Sequence, residues 1–287
     1  MKRTGLARLG CALTAGLCLM GAAAASADDA GSDAAKAAQA ADRSQGFHGY
    51  LNLGAGVAPD YEGSKDYAPI PVIAGKLGYD EFYVEARGPN LRVNVMPKVL
   101  PFGFGFDFGP ALGYRFGRDD VRNNQVDRLR DIDGSVAAGA FAKVYADGML
   151  LEGDELAFEA EGLAGVGDKR NGTTIKFGPS YRFSPFQSVQ LGFRASATWA
   201  SDRYTETYFG VDTVNALRSG LSPYNAKGGI KDLGLAMDVT YMWAENWGIT
   251  GTLGVTRLVG DVADSPIVDH AGSATQGIAT LGVIYSF

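Results

Sequence analysis

Few side chains in this 287-residue chain have both the type and the spacing to act on a substrate. Asp269, His270 and Ser273 place an acid, a base and a nucleophile in one short stretch, the types a hydrolase needs. Neighbours on a loop seldom reach the required geometry, so water-facing polar residues are the plainer reading. Glu159 and Glu161, two apart on an alternating segment, would share one face about 7 Å apart, a separation that suits paired-carboxylate chemistry. Ion pairing inside the fold explains them more simply. Asp119, Asp120 and Asp127 offer oxygens to Ca²⁺, but without the spacing of a defined calcium loop. Arg118, Arg122, Arg128 and Arg130 interleave with them, so the stretch reads as a solvated salt-bridge cluster or a contact for lipid-borne phosphates.

The remaining chemistry is thin. His48 opens the first strand at the periplasmic end and His270 falls in the last outer loop, about a bilayer apart, so they cannot share a centre. Cys11 and Cys18 both lie in an N-terminal export signal: Lys2, Arg3 and Arg8, an uncharged apolar run from Leu9 to Ala24, then Ala25-Ser26-Ala27 ahead of Asp28. Cleavage after Ala27 would leave no cysteine, hence no disulfide and no thiolate site. No glycine-rich loop follows a strand and opens a helix. The expectation is no catalytic residue, no metal, no cofactor and no enzyme. The net charge of −6 argues against a nucleic-acid partner.

What could position such residues is read from the period of the chain. Residues 28–46 are Ala-rich and polar without an apolar face, which reads as a disordered spacer. From Phe47 the period is two, and the reading is one β-domain over 47–287. Alternation recurs at Leu51/Leu53/Ala55/Val57, around Ile70/Val72, at Phe82/Val84/Ala86 and at Leu91/Val93/Val95. It continues at Phe102/Phe104/Phe106/Phe108, Val136 to Val144, Leu156/Phe158/Ala160 and Ile175 to Phe183. Val189 to Trp199, Leu233 to Tyr241, Trp247 to Val255 and the terminal Thr280 to Phe287 complete it. The count is twelve, with ten as the alternative. No mature segment is a long apolar run, so the membrane-spanning form open to this chain is an antiparallel up-and-down β-barrel. Long connections fall near 59–67, 118–131, 200–229 and 261–273, and tight ones at 184–186 and 244–246. Two break the asymmetry: 88–90 is short for its side and 146–154 is long.

The ending supports a barrel. Leu281, Val283, Tyr285 and Phe287 would face outward, with the aromatics at the bilayer edge. Gly282, Tyr285 and Phe287 resemble the signal read by the barrel-assembly machinery. Glu85, Arg87, Arg92, Asp107, Lys143, Glu159, Glu161, Lys176, Arg182, Arg194 and Asp238 lie on the opposite strand faces. Their signs nearly balance, which suggests pairing across a narrow or closed lumen. A solvated face of a soluble sandwich is the competing reading.

Several blocks resemble the MipA/OmpV family of outer-membrane proteins. They are Gly54 to Tyr67 with Asp60-Tyr61-Glu62-Gly63, then Pro69 and Pro71; Tyr208-Phe-Gly-Val211 with Ser219-Gly-Leu221 and Tyr224; Arg257 to Ile267 with Asp264-Ser265-Pro266; and the ending. The resemblance implies a barrel in the outer membrane of a Gram-negative bacterium, in contact with lipid and lipopolysaccharide. It implies a scaffold, since the family's namesake is described as linking a lytic transglycosylase to a murein synthase. Adhesion, osmotic response and antibiotic susceptibility are associated with other members, and no family residue is firmly catalytic. A narrow solute channel and a surface adhesin acting through its outer loops are the alternatives.

Overall fold

The computed structural model describes residues 46–100, 103–167 and 172–287. The expected cleavage site (Ala25, Ala27, Asp28) and the spacer as far as Gln45 lie outside the described residues.

Alternating segments become strands: β1 (Phe47–Pro59), β2 (Tyr67–Tyr79), β3 (Phe82–Arg87), β4 (Asn90–Asn94), β5 (Lys98–Val99), β6 (Gly105–Arg115) and β7 (Ser135–Asp147). The second half holds β8 (Glu155–Gly165), β9 (Thr173–Phe186), β10 (Val189–Ala200), β11 (Gly229–Met242), β12 (Trp247–Leu258) and β13 (Thr275–Ser286). All pairings are antiparallel, and β1 pairs with β13, so the sheet closes on itself. β4 and the two-residue β5 both pair with β6 and occupy one place in the wall, giving the twelve-stranded barrel expected.

The closing seam is built by the last residues. Gly49 N–H donates to Phe287 O at 3.0 Å, and Phe287 N–H returns to Gly49 O at 3.1 Å. The Tyr285 ring lies 4.8 Å from Trp247 and 6.2 Å from Phe287, an aromatic cluster at one rim. Leu53, Leu235, Leu253 and Leu281 are all more than half exposed on the outer wall. In water such a belt would drive association; in a bilayer it is the lipid-facing surface. Among the described residues no helix is long and apolar enough to cross a membrane.

β2 departs from the apolar-outward pattern. Lys76 is buried with its ammonium over the Tyr83 ring, and parity from that inward residue turns Val72 and Ile70 into the bore. The outward face of β2 carries Pro69, Pro71, Ile73 and Leu77 instead. Of the strand expected from Phe102, that residue lies outside the described ones, and the described strand begins at Gly105.

The two rims differ. One has tight turns, apart from 148–154. The other has long connections: 60–66, 116–134, 201–228 and 259–274, with the short 88–89 between β3 and β4. The long connections fold into α1 (Asn124–Asp127), α2 (Asp202–Phe209), α3 (Thr213–Ser219), α4 (Gly260–Ala263) and α5 (Pro266–Asp269). Local signals start and stop them. Asn123 accepts the N–H groups of Gln125 and Val126, Asp212 accepts that of Asn215, and Gly220 ends α3 at φ +76°. Ser265 caps α5 with Pro266 in its first turn.

Candidate functional site

Charged side chains on the inward strand faces bond to one another toward the short-turn rim. Arg92 donates from Nε to Glu85 at 2.7 Å and from Nη1 to Glu159 at 3.0 Å, and its guanidinium lies 4.6 Å from the centre of the Phe141 ring. Arg87 reaches the same Glu159 carboxylate through both terminal nitrogens. Lys143 and Arg182 clamp Glu155 at 2.8 and 2.6 Å, and the Tyr83 hydroxyl donates to Asp107 at 2.9 Å. Glu85, Arg92, Asp107, Lys143, Glu155 and Arg182 are all buried. The Arg87 and Arg92 bonds to Glu159 run from β3 and β4 to β8 across part of the bore, while Lys143, Glu155 and Arg182 join the neighbouring strands β7, β8 and β9. Together they form a plug of buried, bonded side chains along this part of the wall. Two of its members, Lys76 and Glu155, fall outside the sequence-based set. Lys76 shares a strand whose apolar pattern misleads, and Glu155 stands at the very start of its strand.

Glu159 and Glu161 do share a face, but Glu159 is taken by two arginines and Glu161 accepts from the Asn90 amide at 2.8 Å. Arg194 pairs with Asp238 at 2.9 Å. These are structural ion pairs.

At the other end the long connections pack into a cap. One apolar core joins Tyr61, Val126, Leu129, Val211, Leu221 and Ile267; a second joins Tyr204, Tyr208, Phe209, Leu258, Val262 and Val268. In the stretch 118–131 the acids and Arg122, Arg128 and Arg130 stay exposed, but Val121, Val126 and Leu129 are buried beneath them, which offsets the cost of ordering the loop. Arg118 is buried as well, donates to Tyr208 O at 2.7 Å, and burial pulls its ordinarily very high pKa down to about 10. Burial likewise pushes the Tyr61 phenol up to about 12. Cross-bore bonds tie the cap. Asn123 Nδ2 donates to Ala271 O at 2.7 Å and Arg122 N–H to Asp60 at 2.9 Å, joining the β6–β7 connection to those around β1, β2 and β13.

The family blocks supply the cap's joints. Glu62 accepts from the Tyr204 hydroxyl at 2.9 Å and from the Lys231 ammonium, which also bonds Asp232. Gly63, at φ +98°, donates to Gln276 Oε1, and its carbonyl accepts from Ser273 N–H. Ser265 Oγ donates to Phe209 O at 2.6 Å. Asp264 closes the α4 turn, its N–H donating to Gly260 O.

The candidate catalytic set does not assemble. Asp269 and His270 meet at 3.3 Å with both side chains largely exposed, while Ser273 Oγ turns away to donate to Thr275 O. Asp127 is occupied by the Val121 N–H, and among the described residues no three potential ligands gather around a point.

The geometry defines a transmembrane β-barrel with buried ion pairs inside one end and packed connections over the other. The chain belongs to the family described as MltA-interacting protein MipA, whose model matches residues 51–287. It is 27% identical over 249 residues to the MltA-interacting protein of Escherichia coli (strain K12), covering 83% of this chain and 91% of that protein. The Shigella flexneri protein of the same name gives the same figures. Among solved structures, OprB of Pseudomonas putida aligns at TM-score 0.41 with 12% identity, covering 76% of this chain and 60% of that one. The KdgM porin aligns at 0.38 with 10% identity, covering 84% and 99%.

Proposed function

We propose that this protein is a non-enzymatic outer-membrane barrel that docks a murein-remodelling enzyme at its short-turn, periplasmic rim. The sealed bore carries the reading, because a barrel filled by buried ion pairs and closed by an apolar cap is built for its surfaces rather than for diffusion. The names of the family and of its relatives, MltA-interacting protein, point to MltA, a lytic transglycosylase, as the partner class, and the family resemblance adds a murein synthase. Lipid covers the outer belt, and lipopolysaccharide phosphates would meet exposed Arg122 and Arg128 at the cap. The strand ending in Gly282, Tyr285 and Phe287 would be the assembly machinery's handle.

The docking element is the 148–154 turn, too long for its rim. Asp154 accepts the N–H groups of Met149, Leu150 and Leu151 at 2.8 to 3.0 Å and the Tyr181 hydroxyl at 2.8 Å. A turn so fixed nonetheless presents Met149, Leu150 and Leu151 to the outside, with Leu150 69% exposed. A rigid apolar knob loses little entropy on binding. Crosslinking and affinity capture from envelopes tests this. Recovery of a lytic transglycosylase, lost in Leu150→Asp while the heat-modifiable gel band persists, is expected; undiminished recovery would remove the knob from the interface. Capture of assembly factors and lipopolysaccharide alone would remove the scaffold.

The turn also yields a stability prediction. Asp154→Ala leaves three N–H groups without their charged acceptor and is expected to cost about 2–3 kcal/mol in urea unfolding. Burial works against the Asp154 anion, but the Leu151 N–H, the Tyr181 hydroxyl and the other two N–H groups hold its carboxyl below the usual value. A depressed carboxyl contributes stability above its unfolded pKa of about 3.9, lost as pH falls through the folded value. The wild type should weaken in that acid window by more than Asp154→Ala does.

A further inference from the structure

The lipid-facing wall is not evenly studded: a furrow of about 730 Å³ runs across it. Its lining resolves into two neighbouring rows of outward residues in cross-strand register. One row passes from Leu156 on β8 through Phe193 and Leu253 to Val57 on β1. The other lies two residues away along each strand, nearer the long connections, at Ala195, Leu235, Val255 and Gly277. Between the rows the floor is the backbone of Arg194, Ala236, Gly254 and Ile278, also in register, whose side chains alternation turns inward. Small side chains at Ala195, Gly277 and Ala279 let the furrow sink to that backbone. Exposed Phe193, Leu235 and Leu253 form its banks.

The strands from β8 round to β1 space the furrow over about 29 Å. Barrel strands lean away from the membrane normal, so a line drawn across them climbs. Leu156 is the second residue of β8, at the short-turn rim, and Val57 stands close to the end of β1, at the opposite rim. The furrow therefore crosses the bilayer obliquely. At the long-connection end the Tyr67 hydroxyl accepts the Gly277 N–H at 2.9 Å, and a Cβ on Gly277 would come within 3.1 Å of that oxygen. One row beyond the furrow on β12, Arg257 faces outward by the same alternation as Leu253 and Val255 and is exposed. Its Nη1 donates to Thr275 Oγ1 at 2.8 Å, and among the described residues it has no ion pair. An arginine at the edge of a lipid-facing belt meets head groups, and its planar fork matches the oxygens of a phosphate.

We propose that the furrow and Arg257 bind one molecule of lipid A, an acyl chain lying in the half nearer the long connections and a phosphate on the guanidinium. The charge stands at the rim that faces the lipid A leaflet of an outer membrane. A chain lying in the furrow touches apolar atoms on three sides, where a chain on a flat wall touches them on one. A second barrel fits less well: its outward-curving wall would ride on the banks at Leu235 and Leu253 and miss the floor. The site rests on the outer-membrane placement proposed above but not on the docking knob, so either can fail alone.

Native mass spectrometry of the full barrel released from non-ionic micelles tests the proposal, with purified lipid A, dephosphorylated lipid A and phosphatidylglycerol as probes. One retained lipid A per barrel is expected, with the other two held at least tenfold less. Arg257→Gln should lower lipid A retention by a similar factor. So should Ala195→Phe with Ala279→Phe, which fills the furrow, and both variants should keep the heat-modifiable band. Arg122→Gln with Arg128→Gln, at the cap, should leave the retained molecule in place, and so should Leu150→Asp at the knob. Dephosphorylated lipid A or phosphatidylglycerol held as firmly as lipid A would overturn the head-group assignment. Retention unchanged in the filled variant would overturn the furrow. Lipid-free dimers would give the face to a second copy, and loss in the cap variant but not in Arg257→Gln would move the phosphate to the cap; either result overturns the site.

Discussion

Arg92→Ala is expected to lower the unfolding free energy of the barrel by about 3–5 kcal/mol, read as a lower urea midpoint of the heat-modifiable band. The guanidinium links two carboxylates, and Glu85 is completely buried. Removing it leaves Glu85 facing only Arg87, at 3.3 Å, and the Lys76 field, and it opens a void over Phe141. The loss comes from stranding a buried charge, so taking away the partner as well should restore much of it. Glu85→Leu with Arg92→Leu replaces the pair by apolar volume, and such exchanges are often neutral or better. The double variant is therefore expected well above the single one. A double variant as weak as Arg92→Ala would mean that the pair shapes the strands rather than merely filling the bore.

How much of this could be read from the sequence differs between wall and interior. The wall was legible because a period of two states directly which side chains meet lipid. Leu281, Val283 and Tyr285 lie outside as their spacing requires, and β12, β13 and β1 follow in register. β2 misled because Pro69 and Pro71 replace the apolar outward residues while Ile70 and Val72 line the bore. Lumen membership was legible for Glu85, Arg87, Arg92, Glu159, Glu161 and Arg194, but their partners were not. Arg87 and Glu159 are 72 positions apart on strands that do not pair, so no local pattern states that they meet. The cap was hidden for a related reason. Val126, Leu129, Leu221 and Ile267 come from three connections, each too polar to suggest a core, and only their convergence over the mouth makes one. The Pro266-Ile267-Val268 run, apolar within a loop, was the signal available.

Plug and cap lie in series, so opening either alone should leave the barrel nearly non-conducting. Ile267→Asp puts a carboxylate where a fully buried side chain packs with Tyr61, Val126 and Leu129. An unpaired charge cannot stay there, and the connections are expected to part rather than bury it. The strand ladder does not depend on that core, so the heat-modifiable band should persist. In planar bilayers Ile267→Asp alone is expected to conduct no more than wild type, because the Arg92–Glu85–Glu159 network still fills the bore beneath. Arg92→Ala alone should also stay closed, now under the cap held by Glu62, Lys231 and Tyr204. Only the combined Arg92→Ala and Ile267→Asp barrel should give steady ionic current. Resistances in series make that conductance far greater than the sum of the two single variants. Current from Ile267→Asp by itself would show that the plug leaks and that the cap is the true gate. Silence in the combined variant would place the seal lower, at the Lys143–Glu155–Arg182 layer, where removing Arg182 would then be the decisive change.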